Sequence, residues 1–345
     1  MNTKPILALL PAVSLLAGCS NDTQSNAPSD LQSIQFSVNV PNAPRVPTTT
    51  ETIKTFNTWA FADGKPYMSN VEVVKGENGL WGYSPTAYWP VDESLNFYSY
   101  SPALETTKPV TADSPDIADY KSPGDVDLLY GVNMDVNGKT DKQVHINFRH
   151  ALSQIRFFIR KQPASISNRA IDVKISELKV VNVATTGSFN FPKETTSSTS
   201  TAKGEWVTTT DNGEIAVYAN ATADLGDEYA EYRNTGNIFA IPQTLTETEA
   251  TAATYSGSYI RVLCKITDPA TGVTLWPSAS DPNYVNDLNG GYIVFPLVND
   301  SNNNWELGNA YRYNLTIGIP SSTDRINFDV TVDEYQDFND IPVEN

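Results

Sequence analysis

The 345 residues hold 23 Lys and Arg against 40 Asp and Glu, a formal net charge of −17, with two histidines and two cysteines. That balance argues against a nucleic-acid partner and against adsorption to anionic lipid by charge, since both need a basic footprint. Two cysteines make no disulfide framework, so the core must hold the fold unaided.

The chain opens with Lys4 ahead of an apolar run from Ile6 to Ala17, broken only by Pro11 and Ser14. A positive start, an apolar stretch and small residues at its end are the pattern of an export signal. The run is shorter than the roughly 20 apolar residues that cross a bilayer. It closes on Leu16-Ala17-Gly18-Cys19, which resembles a bacterial lipobox. In lipoproteins of that kind the cysteine takes a diacylglycerol, the signal is cut before it, and the new amino group is acylated. Cys19 is therefore the expected lipidation site, residues 1–18 the signal, and outer-membrane lipid a partner. Each buried methylene adds about 0.8 kcal/mol, so several acyl chains hold a protein that one would not. An ordinary export signal with an incidental cysteine is the plainer alternative. Residues 19–30 are polar and aperiodic, and are expected to form a disordered tether.

No helical pattern of useful length follows. Short period-2 runs rich in Val, Ile, Tyr, Phe and Thr alternate with Gly, Pro, Asn and Asp clusters, which predicts an all-β chain. In "LQSIQFSVNV" the residues Ile34, Phe36, Val38 and Val40 share one face. The next stretch, "PNAPRVPTTTET", is punctuated by proline and unsuited to pairing along its length. Further strands are expected at "TFNTWAFA", "VEVVKG", "LNFYSYSP", "VHINF" and "IRFFIRK". The polar segment 161–170 is the expected domain boundary. Beyond it, "AIDVKISELKVVNV" alternates with a phase slip near Ser176 that suggests a bulge. "YIRVLCKI", "YRYNLTIGI" and "INFDVTV" alternate cleanly, the last through Ile326, Phe328, Val330 and Val332. Clean alternation means one buried and one solvated face, hence antiparallel sheets. Two β-sandwich domains, residues 31–165 and 166–345, are the expected packing. "KETTSSTSTAKGEW" and "VNDSNNNW" read as exposed loops.

Signals for chemistry are weak throughout. His145 falls on the polar side of a strand and His150 just past its end, so both are expected to be structural rather than metal ligands. Cys264 lies on an apolar strand face, as a small buried hydrophobe does. "DVNGKTD" from Asp135 has Lys139 where a calcium ligand belongs, and is expected to be a turn on Asn137-Gly138. Trp81, Tyr83, Tyr88 and Trp89 are either core aromatics or a sugar-stacking shelf. A glycosidase would need two convergent carboxylates about 5–9.5 Å apart, which one sequence cannot reveal. No enzyme and no cofactor is expected.

Taken together, the lipobox, "AYWPVDESLNFYSYSP", "DLLYG", "FRHALSQIRFFI", "VNVATTGSFN", "FAIPQ" and "WELGNAYRYNLTI" are similar to the fimbrillin family of Bacteroidales, in the expected order over nearly the whole mature chain. Where that family's pattern has a tryptophan near the end of the last strand, this chain has Tyr335. The resemblance implies two transthyretin-like β-sandwiches, exported as an outer-membrane lipoprotein and built into a type V pilus. It also implies cleavage by an arginine-directed protease after the first strand, whose place a strand from another subunit then takes by β-strand addition.

Arg45, the only arginine before Arg149, stands where the family is cut, which makes Val46 the expected new N-terminus. Ile34, Phe36, Val38 and Val40 then mark the exchangeable strand. Alternatively Arg45 is an uncut loop residue, and the protein keeps its lipid as an anchor. The C-terminal "DEYQDFNDIPVEN" is acidic and poorly alternating, which favours a tip or accessory place over the main stalk. A surface lipoprotein that binds host glycan or protein without polymerising is the other reading.

Overall fold

The computed structural model describes residues 32–40, 48–104, 110–219, 221–234, 236–251, 254–286, 289–298, 303–320 and 328–334. Cys19, Arg45, Val46 and Tyr335 lie outside these residues. Regular structure within them is strand, apart from the four-residue helix Ala164–Ser167.

The first half is built on a six-stranded antiparallel sheet. Its order is Trp81–Gly82, Lys65–Lys75, Thr55–Ala62, Leu95–Ser101, Leu129–Val136, Arg149–His150. The strands Thr55–Ala62 and Leu95–Ser101 are buried at nearly every position instead of at alternate ones. Both faces of these two central strands are covered, so the solvated face expected from alternation is missing there, while Lys65–Lys75 nearer the edge stays largely exposed. One face carries Phe36–Asn39 and Val144–Asn147, whose core includes Ile34, Phe56, Phe97 and Phe148. The other carries a three-stranded sheet, Glu205–Thr208, Thr186–Asn190 and Asp116–Lys121, in a core with Trp59, Tyr98, Tyr130 and Phe189.

The second half is a sandwich. A five-stranded sheet contains Ser153–Lys161, Asn309–Ile317 and Phe328–Glu334. A seven-stranded sheet contains Asn212–Tyr218, Asp172–Ala184, Tyr259–Thr267 and Gly290–Pro296. Ile155, Phe157, Tyr313, Val173, Ile260 and Ile293 share one core between them. Cys264 is 1% exposed in that core, and burial pushes its thiol pKa up. The phase slip near Ser176 is a register shift between Ile175 and Glu177.

Two expectations need correction. The boundary at 165/166 does not follow the sheets. Ser153–Lys161 pairs with Asn309–Ile317, while Thr186–Asn190 and Glu205–Thr208 lie in one sheet with Asp116–Lys121. Alternation announces a buried face without naming the sheet that buries it. The chain is also not wholly antiparallel. Phe36–Asn39 runs parallel to Val144–Asn147, and Ser153–Lys161 runs parallel to Asn309–Ile317.

Candidate functional site

The segment 32–40 lies over the six-stranded sheet as a strip of apolar side chains on a pleated backbone. Ile34, Phe36 and Val40 are 1%, 3% and 2% exposed, whereas Val38 is half-buried. The floor beneath them is aromatic. The Phe36 ring meets Phe56 at 5.6 Å, Tyr83 at 5.4 Å and Phe97 at 6.0 Å, each edge to face. Edge-to-face contacts of this kind add to burial, because ring edge and ring face carry opposite partial charge.

Hydrogen bonds to its backbone hold the strip at three places. At its start Ile34 N donates to Ala87 O (2.9 Å) and Trp89 N to Gln32 O (3.0 Å). Along its length Val144 N donates to Gln35 O and Phe148 N to Asn39 O, both 2.8 Å, in the parallel register Phe36 to Val144. At its end the Thr50 hydroxyl accepts from Val40 N (2.8 Å) and donates to Val40 O (3.0 Å). Two further side chains donate to its backbone. Tyr83 donates its hydroxyl to Ile34 O (2.9 Å), and Gln143 Nε2 donates to Phe36 O (3.0 Å).

Val144–Asn147 is the single strand that pairs with this strip, and among the described residues the strip is its single strand partner. Its other edge is held by side chains. Asn133 Nδ2 donates to His145 O (2.8 Å), and the Thr196 hydroxyl donates to Asn147 O (2.8 Å). The approach is tight. A Cβ on Gly131 would sit 2.5 Å from Ile146 Cγ2, so only glycine lets this layer lie on the Leu129–Val136 strand.

The sequence candidates sort cleanly on this frame. Trp81, Tyr83, Tyr88 and Trp89 form no exposed shelf. Trp89 is 5% exposed beneath Gly138, Trp81 packs on Phe56 at 5.1 Å, and Tyr83 braces the strip. His145 is exposed and bonds Ser37 across the parallel pair. His150 is not at a loose turn. It is buried in a short strand with Nδ1 2.9 Å from Asp127 Oδ1. The Asn137–Thr140 turn joins two layers and does not close a hairpin, because Leu129–Val136 and Val144–Asn147 do not pair as a ladder. Among the described residues no group of three His, Cys, Asp or Glu is placed to hold a metal ion.

Sequence reading missed Thr196 and Arg149. The Ser/Thr-rich stretch around 193–204, expected to be an exposed loop, is strapped onto the first sheet. Thr196 is fully buried there, and Arg149 donates to the backbone oxygens of Ser197, Ser200 and Ala202. A lone arginine in an apolar run, "NFRHAL", was the available signal. It missed one more feature. Ile34-x-Phe36-x-Val38-x-Val40 and Ile326-x-Phe328-x-Val330-x-Val332 are the same apolar series at the same spacing. Residues 328–334 of the second copy form the edge strand beside Asn309–Ile317, and Ile326 lies outside the described residues.

The sequence over residues 46–334 matches the fimbrillin-like family. No curated protein matches the chain. The fold is similar to the crystal structure of a fimbrial protein from Bacteroides vulgatus, with a TM-score of 0.55 at 15% identity, covering 88% of this chain and 99% of that one. It is also similar to a fimbrilin from Porphyromonas gingivalis, with a TM-score of 0.46 at 12% identity, covering 87% and 96%. Because the family match takes in all but the two ends, this chain belongs to the fimbrillin-like family.

Proposed function

We propose that this protein is a fimbrial subunit exported as an outer-membrane lipoprotein through Cys19 and assembled by strand exchange at the groove under residues 32–40. Cleavage after Arg45 frees the strip, leaving Val46 as the N-terminus, and a strand from another subunit takes its place. The observation that carries this reading is the solitary pairing of Phe36–Asn39 with Val144–Asn147. Without the strip, one strand keeps an unpaired edge above a trench of Phe56, Phe97 and Phe148, which is a template for β-augmentation. The family match supports the same division, because it begins at residue 46 and leaves the strip outside.

The repeated Ile-x-Phe-x-Val-x-Val series supports a donor within the same chain. Residues 326–332 of one copy offer the groove of the next the side chains it already accommodates. A subunit with both groove and donor can propagate a stalk. The acidic stretch 333–345 favours the tip or accessory place instead, provided that the strand from Phe328 stays in its own sheet.

Intact mass of the protein from native envelopes and from sheared fimbriae tests the reading. An acylated Cys19 form in the membrane and a Val46 form in the fibre are expected. Cross-links in the fibre between residues 326–332 of one copy and 144–148 of another identify the donor. A fibre whose subunits retain residues 32–40 overturns strand exchange.

A further inference from the structure

A second concave site, lined by none of the residues of the strip or its partner strand, lies where the three-stranded sheet meets the second sandwich. It is an open cleft of about 490 Å³. That is within the usual 300–1,000 Å³ range of small-ligand sites. Its frame is rigid and uses up its own hydrogen bonds. Gln243 Oε1 accepts from Ala184 N (2.7 Å), while its Nε2 donates to Ala184 O (3.0 Å) and Ile241 O (2.9 Å). Ser258 Oγ accepts from Thr246 N (3.1 Å) and donates to Asn182 O (3.1 Å). The wall includes the half-buried indole of Trp206, fixed by Nε1 donating to Ala151 O (2.6 Å) and by packing on Tyr120 and Phe189.

The groups facing the cleft are of another kind. Thr208, Asn212, Thr244 and Asn304 line it, and their side chains make no hydrogen bond to another described residue. Glu205 is the one ionisable side chain among the described lining residues, and no Lys, Arg or His stands there. Uncommitted amides and hydroxyls on a fixed frame beside an indole match vicinal hydroxyls and the apolar face of a pyranose ring. Apolar sockets for a peptide's side chains are few, and no cation is present to meet a sulfate or a carboxylate.

We propose that this cleft binds a neutral oligosaccharide, held by amide and hydroxyl hydrogen bonds from Asn212, Asn304 and Thr208 with Trp206 at its side. The proposal does not depend on strand exchange, and the groove under residues 32–40 takes no part in it.

The test is an array of galactose-, mannose-, fucose- and N-acetylglucosamine-terminated glycans beside their sialylated and sulfated forms, probed with the full-length protein. Calorimetric titration with the strongest neutral glycan follows. Binding to neutral glycans is expected. The paired substitution Asn212→Ala with Asn304→Ala should weaken it at least about tenfold, the value of one to two lost hydrogen bonds. Thr208→Trp, which fills the cleft from a strand edge, should abolish it. Both variants should melt as the parent does, and Phe36→Ala should leave glycan affinity unchanged. An array without hits, binding confined to acidic glycans, or affinity unmoved in both cleft variants overturns the proposal. So does capture of peptides in preference to glycans, which would point to strand addition at the free edge of Glu205–Thr208.

Discussion

Two strands of this chain carry the same apolar series, and they are held in opposite ways. Phe36–Asn39 covers a core and pairs with one strand that has no other strand partner among the described residues. Phe328–Glu334 lies at a sheet edge on Asn309–Ile317, which is itself paired over eight positions with Ser153–Lys161. Taking away the second strand leaves its neighbour in a ladder. Taking away the first leaves Val144–Asn147 with no strand partner among the described residues, held at its other edge by the Asn133 and Thr196 side chains. How far a strand's removal spreads is therefore set by what its neighbour keeps, and the side chains of the two strands do not reveal it.

Excision sharpens this contrast most. Removing residues 1–40 should lower stability by about 4.5–9 kcal/mol, the burial of three large apolar side chains. Removing residues 326–345 should cost less. A synthetic peptide spanning residues 32–40 should restore the melting temperature of the first truncation in proportion to its concentration. Equal losses in the two truncations would break the comparison. Phe36→Ala comes next, at about 3–5 kcal/mol by chemical denaturation, since it empties the space between Phe56, Tyr83 and Phe97.

Alkali probes the opposite face of the same sheet. Burial, first of all, raises the pKa of Tyr98, Tyr100, Tyr120 and Tyr130, and the Asp127 carboxylate adds to the rise at Tyr120. Their folded pKa values exceed the unfolded one, so their contribution is complete below about pH 10 and falls as pH climbs past it. Unfolding midpoints followed from neutral to strongly alkaline pH should show the loss, with hydrogen exchange rising first at Tyr98 to Tyr130. Tyr83→Phe removes the hydroxyl that donates to Ile34 O and accepts from Ala87 N, and should cost about 1–3 kcal/mol, the value of two hydrogen bonds. Val38→Ala, at the half-buried position, should be the mildest of the set in the same denaturation experiment.

Much of this was legible in the sequence. Ile34, Phe36, Val38 and Val40 alternate so cleanly that a strand with one buried face was the only economical reading, and three of the four are fully buried. Asn309–Ile317 follows the same rule, with Tyr311, Tyr313, Leu315 and Ile317 buried. What failed was partner choice. Ile155, Phe157 and Ile159 would look the same in either sheet, and their pairing with Asn309–Ile317 bridges more than 150 positions that no local pattern spans. The central strands of the first sheet hid their double burial in another way. Thr58 and Ser99 look polar yet are fully buried against each other, sharing a 2.8 Å hydroxyl bond. Polar residues of that size satisfy each other inside a core, so a pattern scored on hydropathy takes one of two buried faces for a wet one. The tight Gly131 position likewise has meaning only once Ile146 is seen above it.

The stretch from Val144 to Lys161 joins the strand that receives residues 36–39 to the strand that pairs with Asn309–Ile317, with the short Arg149–His150 strand between. In a fibre assembled as proposed, with a neighbour's strand in the groove, tension entering there would travel along this one backbone directly into the second sandwich. Its parallel ladder there would be loaded in shear, many hydrogen bonds at once, instead of being unzipped one by one. Arg149, pinned to three carbonyls, and His150, paired with Asp127, clamp the short span between the sheets where such a load would otherwise find slack.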